Sequence, residues 1–173
     1  GIKQAFEDVK HIRDLAKKHD KETVLYISMG FGNPYGDPYH PDLIAEWVEK
    51  LSKEGIHIFS LADTVGTAEV DTIKEVFSTL PGHFPNLEFG AHFHVKPENR
   101  REKIAAAYEA GCRRFDSAIK GFGGCPMAMD DLTGNLATED LLAYLEDIDE
   151  KHNINKDAFS DALEKSTEVF NYH

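Results

Sequence analysis

The chain has 173 residues, 41% of them hydrophobic and 29% charged, enough for one domain with a core of its own. Its formal net charge of −12 leaves no Lys/Arg surplus to neutralise phosphates, which argues against nucleic acid as a partner, and the same acidity repels anionic membranes. No apolar run approaches the roughly 20 residues a membrane span needs. The two cysteines form no disulfide framework, which fits a reducing compartment and a cytoplasmic location. An anionic small-molecule substrate is still compatible with this charge, because a bound metal outweighs it locally.

Ile2, Phe6, Val9, Ile12, Leu15 and Ala16 recur at helical spacing and predict a helix over 1–19. Val24-Leu25-Tyr26-Ile27-Ser28 is short and β-prone, and it runs into a loop over 30–41 rich in Gly, Pro and Tyr. A helix over 42–54 follows and stops at Gly55, read as a helix-ending glycine. The same sentence then repeats. A strand over 57–63 leads through a loop with Gly66 to a helix ending near Leu80, and a strand over 87–94 leads to a helix opened by Pro97 and closed by Gly111. A strand over 113–119, a loop over 120–137, a helix over 138–151 and a last helix over 156–170 complete the chain.

Four βα units about 30 residues apart imply a parallel sheet, which doubly wound folds and barrels both provide. Asp63, His92, His94 and Cys125 fall at strand C-terminal ends or in the loops just after them. Barrel enzymes build their sites on that face, although open sheets also bind ligands there. A whole (β/α)8 TIM-type barrel runs to about 250 residues. Four strands after a leading helix read as its second half, so residues 1–173 are expected to be a single C-terminal half barrel.

The residues that carry chemistry are few. In His92-Phe93-His94 the period of two turns both imidazoles to one face, from which they could grip a divalent ion at adjacent positions; a bare His-x-His is more often two unrelated histidines. Asp63 could take a substrate hydroxyl proton or orient a donor, and at least as often such an aspartate closes an Asx turn or caps the next helix. Gly121-Phe122-Gly123-Gly124-Cys125-Pro126 combines three glycines with a thiol, a loop able to carry an acid, base or nucleophile, or alternatively a flexible connection or phosphate nest. Asn135 could offer a hard oxygen ligand, or be a loop residue ahead of an N-cap at Thr138. Cys112 follows a helix-ending glycine and reads as core.

Taken together, Ser60-Leu61-Ala62-Asp63-Thr64-Val65-Gly66, Ala91-His92-Phe93-His94, the glycine–cysteine loop and Gly134-Asn135-Leu136-Ala137-Thr138-Glu139-Asp140 resemble the hydroxymethylglutaryl-CoA lyases, in that order. The resemblance covers essentially the whole chain and the C-terminal half of the family's barrel. His-x-His is shared across a larger superfamily of metal-dependent barrel lyases and synthases, whereas the glycine–cysteine loop with its following Gly-Asn segment is particular to the lyases. Three positions depart from the family pattern. Val95-Lys96-Pro97-Glu98 stands where it has an acidic-Thr-Tyr-Gly loop, Met127 where it has an aromatic residue, and Asn33 where it often has cysteine.

The resemblance implies His92, His94 and Asn135 as ligands of a divalent cation, Mg²⁺ or Mn²⁺, with His92 also touching substrate. It implies Cys125 as the mobile catalytic thiol and Asp63 as the carboxylate that manages the substrate hydroxyl. The family's Arg–Asp pair, whose Asp is a further ligand, belongs to the first half of the barrel. The reaction implied is the retro-Claisen cleavage of a 3-hydroxy-3-methylglutaryl-CoA type substrate to acetyl-CoA and acetoacetate, weak or absent in this half alone. An acyl-CoA condensing synthase, a hydroxy-oxo-acid aldolase and a non-catalytic half-barrel binding subunit are the competing readings. An open sheet edge makes a homo-oligomer or association with the other half the expected state.

Overall fold

A computed structural model describes residues 2–124 and 133–170. A helix, α1 (Ile2–Lys18), precedes strand β1 (Val24–Ile27), and three crossovers follow: α2 (Pro41–Ser52) to β2 (Ile58–Asp63), α3 (Val70–His83) to β3 (Glu88–Val95), and α4 (Arg100–Glu109) to β4 (Arg114–Asp116). A two-residue strand, β5 (Gly134–Asn135), and helices α5 (Thr138–Asp147) and α6 (Lys156–Phe170) close the chain. The parallel strands lie in sequence order, β1-β2-β3-β4. A doubly wound sheet reverses its order at a switch point, and a barrel does not. The four-strand run without reversal is half of a TIM-type barrel.

The two faces of the sheet differ. Phe59, Leu61, Phe89, Ala91, Phe93 and Val95 alternate onto one side, where they are nearly inaccessible beneath the apolar stripes of the helices. Those stripes are Ile44 and Val48 on α2, Val76 and Phe77 on α3, and Ile104 and Ala107 on α4. The other side carries Tyr26, Ser60, Ala62, His92 and Asp116, and in-register pairing of Ala62 with His92 and of His92 with Asp116 sets them in one row. His92, His94 and Asp116 therefore share the face turned away from the helices.

The structure departs from the sequence reading at element ends. The expected strand over 113–119 stops at Asp116, because Ala118 spends its backbone groups elsewhere: its N–H donates to Leu136 O at 2.9 Å, and its carbonyl accepts from Thr138 N at 2.9 Å. Helix α3 runs through Pro81 to His83, a place where a proline deletes only one bond of the last turn. Thr138 is the first helical residue of α5 and Ala137 its N-cap; the Thr138 hydroxyl donates to Ser117 Oγ at 2.9 Å. The apolar stripe of α1 is only partly covered, with Phe6 and Val9 against the core and Ile12 57% exposed.

Candidate active site

His92 and His94 leave β3 on the same face, with ring centroids 5.1 Å apart at 73°. The β2–α3 loop fixes the second ring: His94 Nδ1 lies 2.7 Å from the Thr64 carbonyl oxygen. A carbonyl only accepts, so Nδ1 carries the proton and Nε2 keeps its lone pair. That loop is itself tied down, since Thr64 Oγ1 accepts from Met29 N at 2.9 Å in the β1–α2 connection.

Asn135 is directly opposite His94 in the antiparallel β3–β5 pair. Its Nδ2 donates to Phe122 O at 2.8 Å, which leaves Oδ1 as the hard donor it can offer a cation. Glycine permits this approach. Gly121 sits at φ +66°, and a Cβ there would lie 2.7 Å from Asn135 O. Gly66, at φ +77°, plays the same part behind His94, where a Cβ would meet Thr133 Cγ2 at 2.7 Å and His94 O at 3.1 Å. Gly66→Ala is accordingly expected to destabilise the fold by about 1–3 kcal/mol, from left-handed strain and the close contact together. Urea denaturation reads this directly, and an unchanged midpoint would mean that the loop shifts freely.

Asp63, expected at a substrate hydroxyl, is placed elsewhere. It pairs in register with Phe93, so its side chain lies on the helix side of the sheet, opposite His92 and His94. There Oδ2 is 2.8 Å from Lys103 Nζ, and both oxygens accept from Ala68 N at 3.1 Å. Its role in this fold is to brace the β2–α3 loop from five residues away, neither as an Asx turn nor as the N-cap of α3, which is Glu69. Cys125 lies outside the described residues. The glycines before it reach the site: a Cβ at Gly123 would be 3.0 Å from Asn135 Nδ2, and one at Gly124 would be 3.0 Å from Thr133 O.

Two further residues were not singled out from the sequence. Lys103 is buried in α4 and neutralises Asp63. Asp116, at the end of β4, accepts from the buried Ser60 hydroxyl at 2.8 Å and lies 3.5 Å from His92 Nδ1. The His92 imidazole, then the hydroxyls of Ser60 and Tyr26, hold its carboxyl down at about 2, against the opposing effect of burial. The sequence carried no signal for it, because residue 116 falls inside the strand expected over 113–119 and its pairing with His92 is long-range. Tyr26 completes this wall, edge-on to the His92 ring at 5.4 Å; burial, then the Asp116 carboxylate, pushes its phenol up.

Two imidazole nitrogens and an amide oxygen form a mixed N/O set suited to a hard or borderline divalent cation. Among the described residues no three His, Cys, Asp or Glu side chains are grouped to hold a metal. A cation at this place therefore draws on Asn135 and on ligands beyond those residues.

A cleft of about 860 Å³ opens at the other end of the sheet, lined by Arg13, Lys17, Lys53, Glu54 and His57. It faces the strand N-termini, the end of a barrel concerned with stability, and Arg13 is already paired with Glu54 at 3.1 Å.

The HMGL-like family model matches residues 2–165. The hydroxymethylglutaryl-CoA lyase YngG of Bacillus subtilis is 33% identical over 146 residues, covering 84% of this chain and 48% of that protein. The solved hydroxymethylglutaryl-CoA lyase of Pseudomonas aeruginosa superposes with a TM-score of 0.89 at 28% identity, over 100% of this chain and 57% of that one. An HMG-CoA lyase of Acinetobacter baumannii, solved in complex with coenzyme A and 3-methylmalate, gives a TM-score of 0.83 at 30% identity over 96% of this chain and 54% of that one. The chain thus spans about half the length of the curated relatives it matches.

Proposed function

Since this chain belongs to the HMGL-like family, we propose that it supplies the imidazole half of a carbon–carbon lyase site that cleaves a 3-hydroxy-3-methylglutaryl-CoA type thioester to acetyl-CoA and acetoacetate. The observation that carries the reading is the pair of β3 imidazoles on one face beside Asn135, with His94 Nδ1 bonded to Thr64 O and His92 Nδ1 facing Asp116 Oδ2 at 3.5 Å. That arrangement reserves both Nε2 lone pairs for one cation, which His92, His94 and the Asn135 carboxamide would hold. Mg²⁺ or Mn²⁺ suits this donor set better than a thiolate-seeking metal. A divalent cation bound there polarises the oxygens of a hydroxy-acyl substrate.

The chain's own groups do the rest. Thr64 O and the Asp116 carboxylate keep the rings from turning, and Tyr26 walls the site edge-on to His92. In the cleavage the C3 hydroxyl gives its proton to a base as the C2–C3 bond breaks, C3 becomes the ketone of acetoacetate, and C2 of the departing acetyl-CoA takes up a proton, so no proton is gained or lost overall. The proposed donor of that proton is the Cys125 thiol, delivered on the Gly121–Gly124 run. Support for an acyl-CoA substrate comes from the coenzyme A held by the A. baumannii lyase. Strands β1 and β4 each have one neighbour in the parallel sheet among the described residues, and the proposed partner for these edges is the other half of the barrel.

The direct test is to incubate the protein carrying this chain with 3-hydroxy-3-methylglutaryl-CoA and Mg²⁺ or Mn²⁺, and to measure acetoacetate and acetyl-CoA. Absence of both products, with condensation of acetyl-CoA observed instead, would sink the lyase assignment. His94→Ala is expected to lower cation affinity and turnover together. The loss should exceed the roughly 10–100-fold typical of merely disturbing a ligand's supporting partner. Titration calorimetry with Mn²⁺ checks it, and unchanged affinity would remove His94 from the ligand set.

A further inference from the structure

His92 and His94 are supported differently. The proton on His94 Nδ1 goes to a neutral backbone carbonyl, whereas His92 Nδ1 is buried and makes no hydrogen bond, with the Asp116 carboxylate facing it at 3.5 Å from Oδ2. The carboxylate is not free to turn. Ser60, 1% exposed on the adjacent strand β2, donates its hydroxyl to the same Oδ2 at 2.8 Å, and strand register fixes Asp116 as the β4 neighbour of His92. The ring is confined on other sides by Tyr26 and His94 at 5.4 and 5.1 Å.

We propose that Asp116 is a positioning residue for His92: its carboxylate, locked by Ser60, holds the imidazole as the Nδ1–H tautomer so that Nε2 points its lone pair toward the place His94 Nε2 serves. The cation-binding part of this inference rests on the lyase reading; the tautomer does not. An imidazole that binds through Nε2 needs its other nitrogen protonated and oriented, and a carboxylate also makes the ring a stronger donor. Replacing the aspartate of a His–Asp pair by asparagine preserves shape but permits the wrong tautomer. The residue acts through His92 and touches no substrate in this scheme.

The experiment uses the full chain without metal and resolves the histidine tautomers by long-range ¹H–¹⁵N NMR, then repeats the spectra on Asp116→Asn and Ser60→Ala. The expected wild-type spectrum has both His92 and His94 as Nδ1–H tautomers. Asp116→Asn should convert His92 to a mixture or to the Nε2–H form and leave His94 unchanged, with Ser60→Ala moving His92 less in the same direction. Mn²⁺ titration should then show a loss of about 10–100-fold for Asp116→Asn. A wild-type His92 found as Nε2–H overturns the proposal, and that result needs no variant to fold. Unaltered His92 resonances in a folded Asp116→Asn overturn it as well. A wild type that binds no Mn²⁺ while His92 responds to residue 116 would count against the metal reading and leave the positioning role standing.

Discussion

Lys103→Met is expected to lower the free energy of unfolding by about 3–5 kcal/mol, the loss typical of breaking a buried ion pair by removing one member. Lys103 and Asp63 are each 3% exposed at the side chain, with Nζ 2.8 Å from Oδ2, and Nζ also donates to Gly66 O at 3.0 Å. Methionine approximates the aliphatic stem, so packing changes little and the effect isolates the charge. What is left is a carboxylate out of water with one backbone donor, Ala68 N, to satisfy it. Adding Asp63→Asn removes that stranded charge, so the double variant should recover part of the loss, and a double-mutant cycle should report strong coupling. Urea denaturation of the four proteins supplies the measurement. A single-variant loss of about 1 kcal/mol or less, the scale of exposed pairs, would mean that water reaches Asp63. The same pair braces the loop that presents Thr64 O to His94, so stability and site geometry are joined at this point.

What could be read from the sequence follows from how many residues carry each signal. The four βα units rest on apolar repeats several residues long, and all four appear. Their barrel order, by contrast, is a property of strand pairing, which periodicity does not contain. Alternation along one strand places His92 and His94 on one face without knowledge of the fold. The same rule puts Asp63, at an odd offset on β2, across the sheet from His92 once register is known; the family resemblance, not the residue pattern, pointed to the substrate side. Asp116 escaped notice because β4 has only three residues and its neighbour across the sheet cannot be seen in a linear chain. β5 is shorter still, two residues inside an expected loop, held by Gly121 allowing close approach to Asn135. Short-range pattern thus located the imidazoles, and long-range pairing assembled their supports.

Cys125→Ser, in the protein that carries this chain, is expected to reduce kcat by roughly two to four decades, the range of a lost general acid–base contribution, while cation affinity stays nearly constant. The separation of the two readouts follows from position in the chain. The ligand candidates sit on β3 and β5, held by backbone pairing, whereas Cys125 comes after Gly123 and Gly124, which lie against Asn135 and Thr133. Serine nearly matches cysteine in size, but its hydroxyl is a far weaker acid, so proton delivery to C2 of departing acetyl-CoA suffers while binding of the ion does not. His92→Ala should behave differently and lower cation affinity and turnover together, because in the proposed site it is both a ligand and a substrate contact. Steady-state kinetics with Mn²⁺ titration on both variants distinguishes these cases. If Cys125→Ser kept full kcat on every acyl-CoA tried, the thiol would have no part in proton transfer, and a condensing synthase or an aldolase, which needs no thiol at this loop, would become the better account of the same imidazole pair.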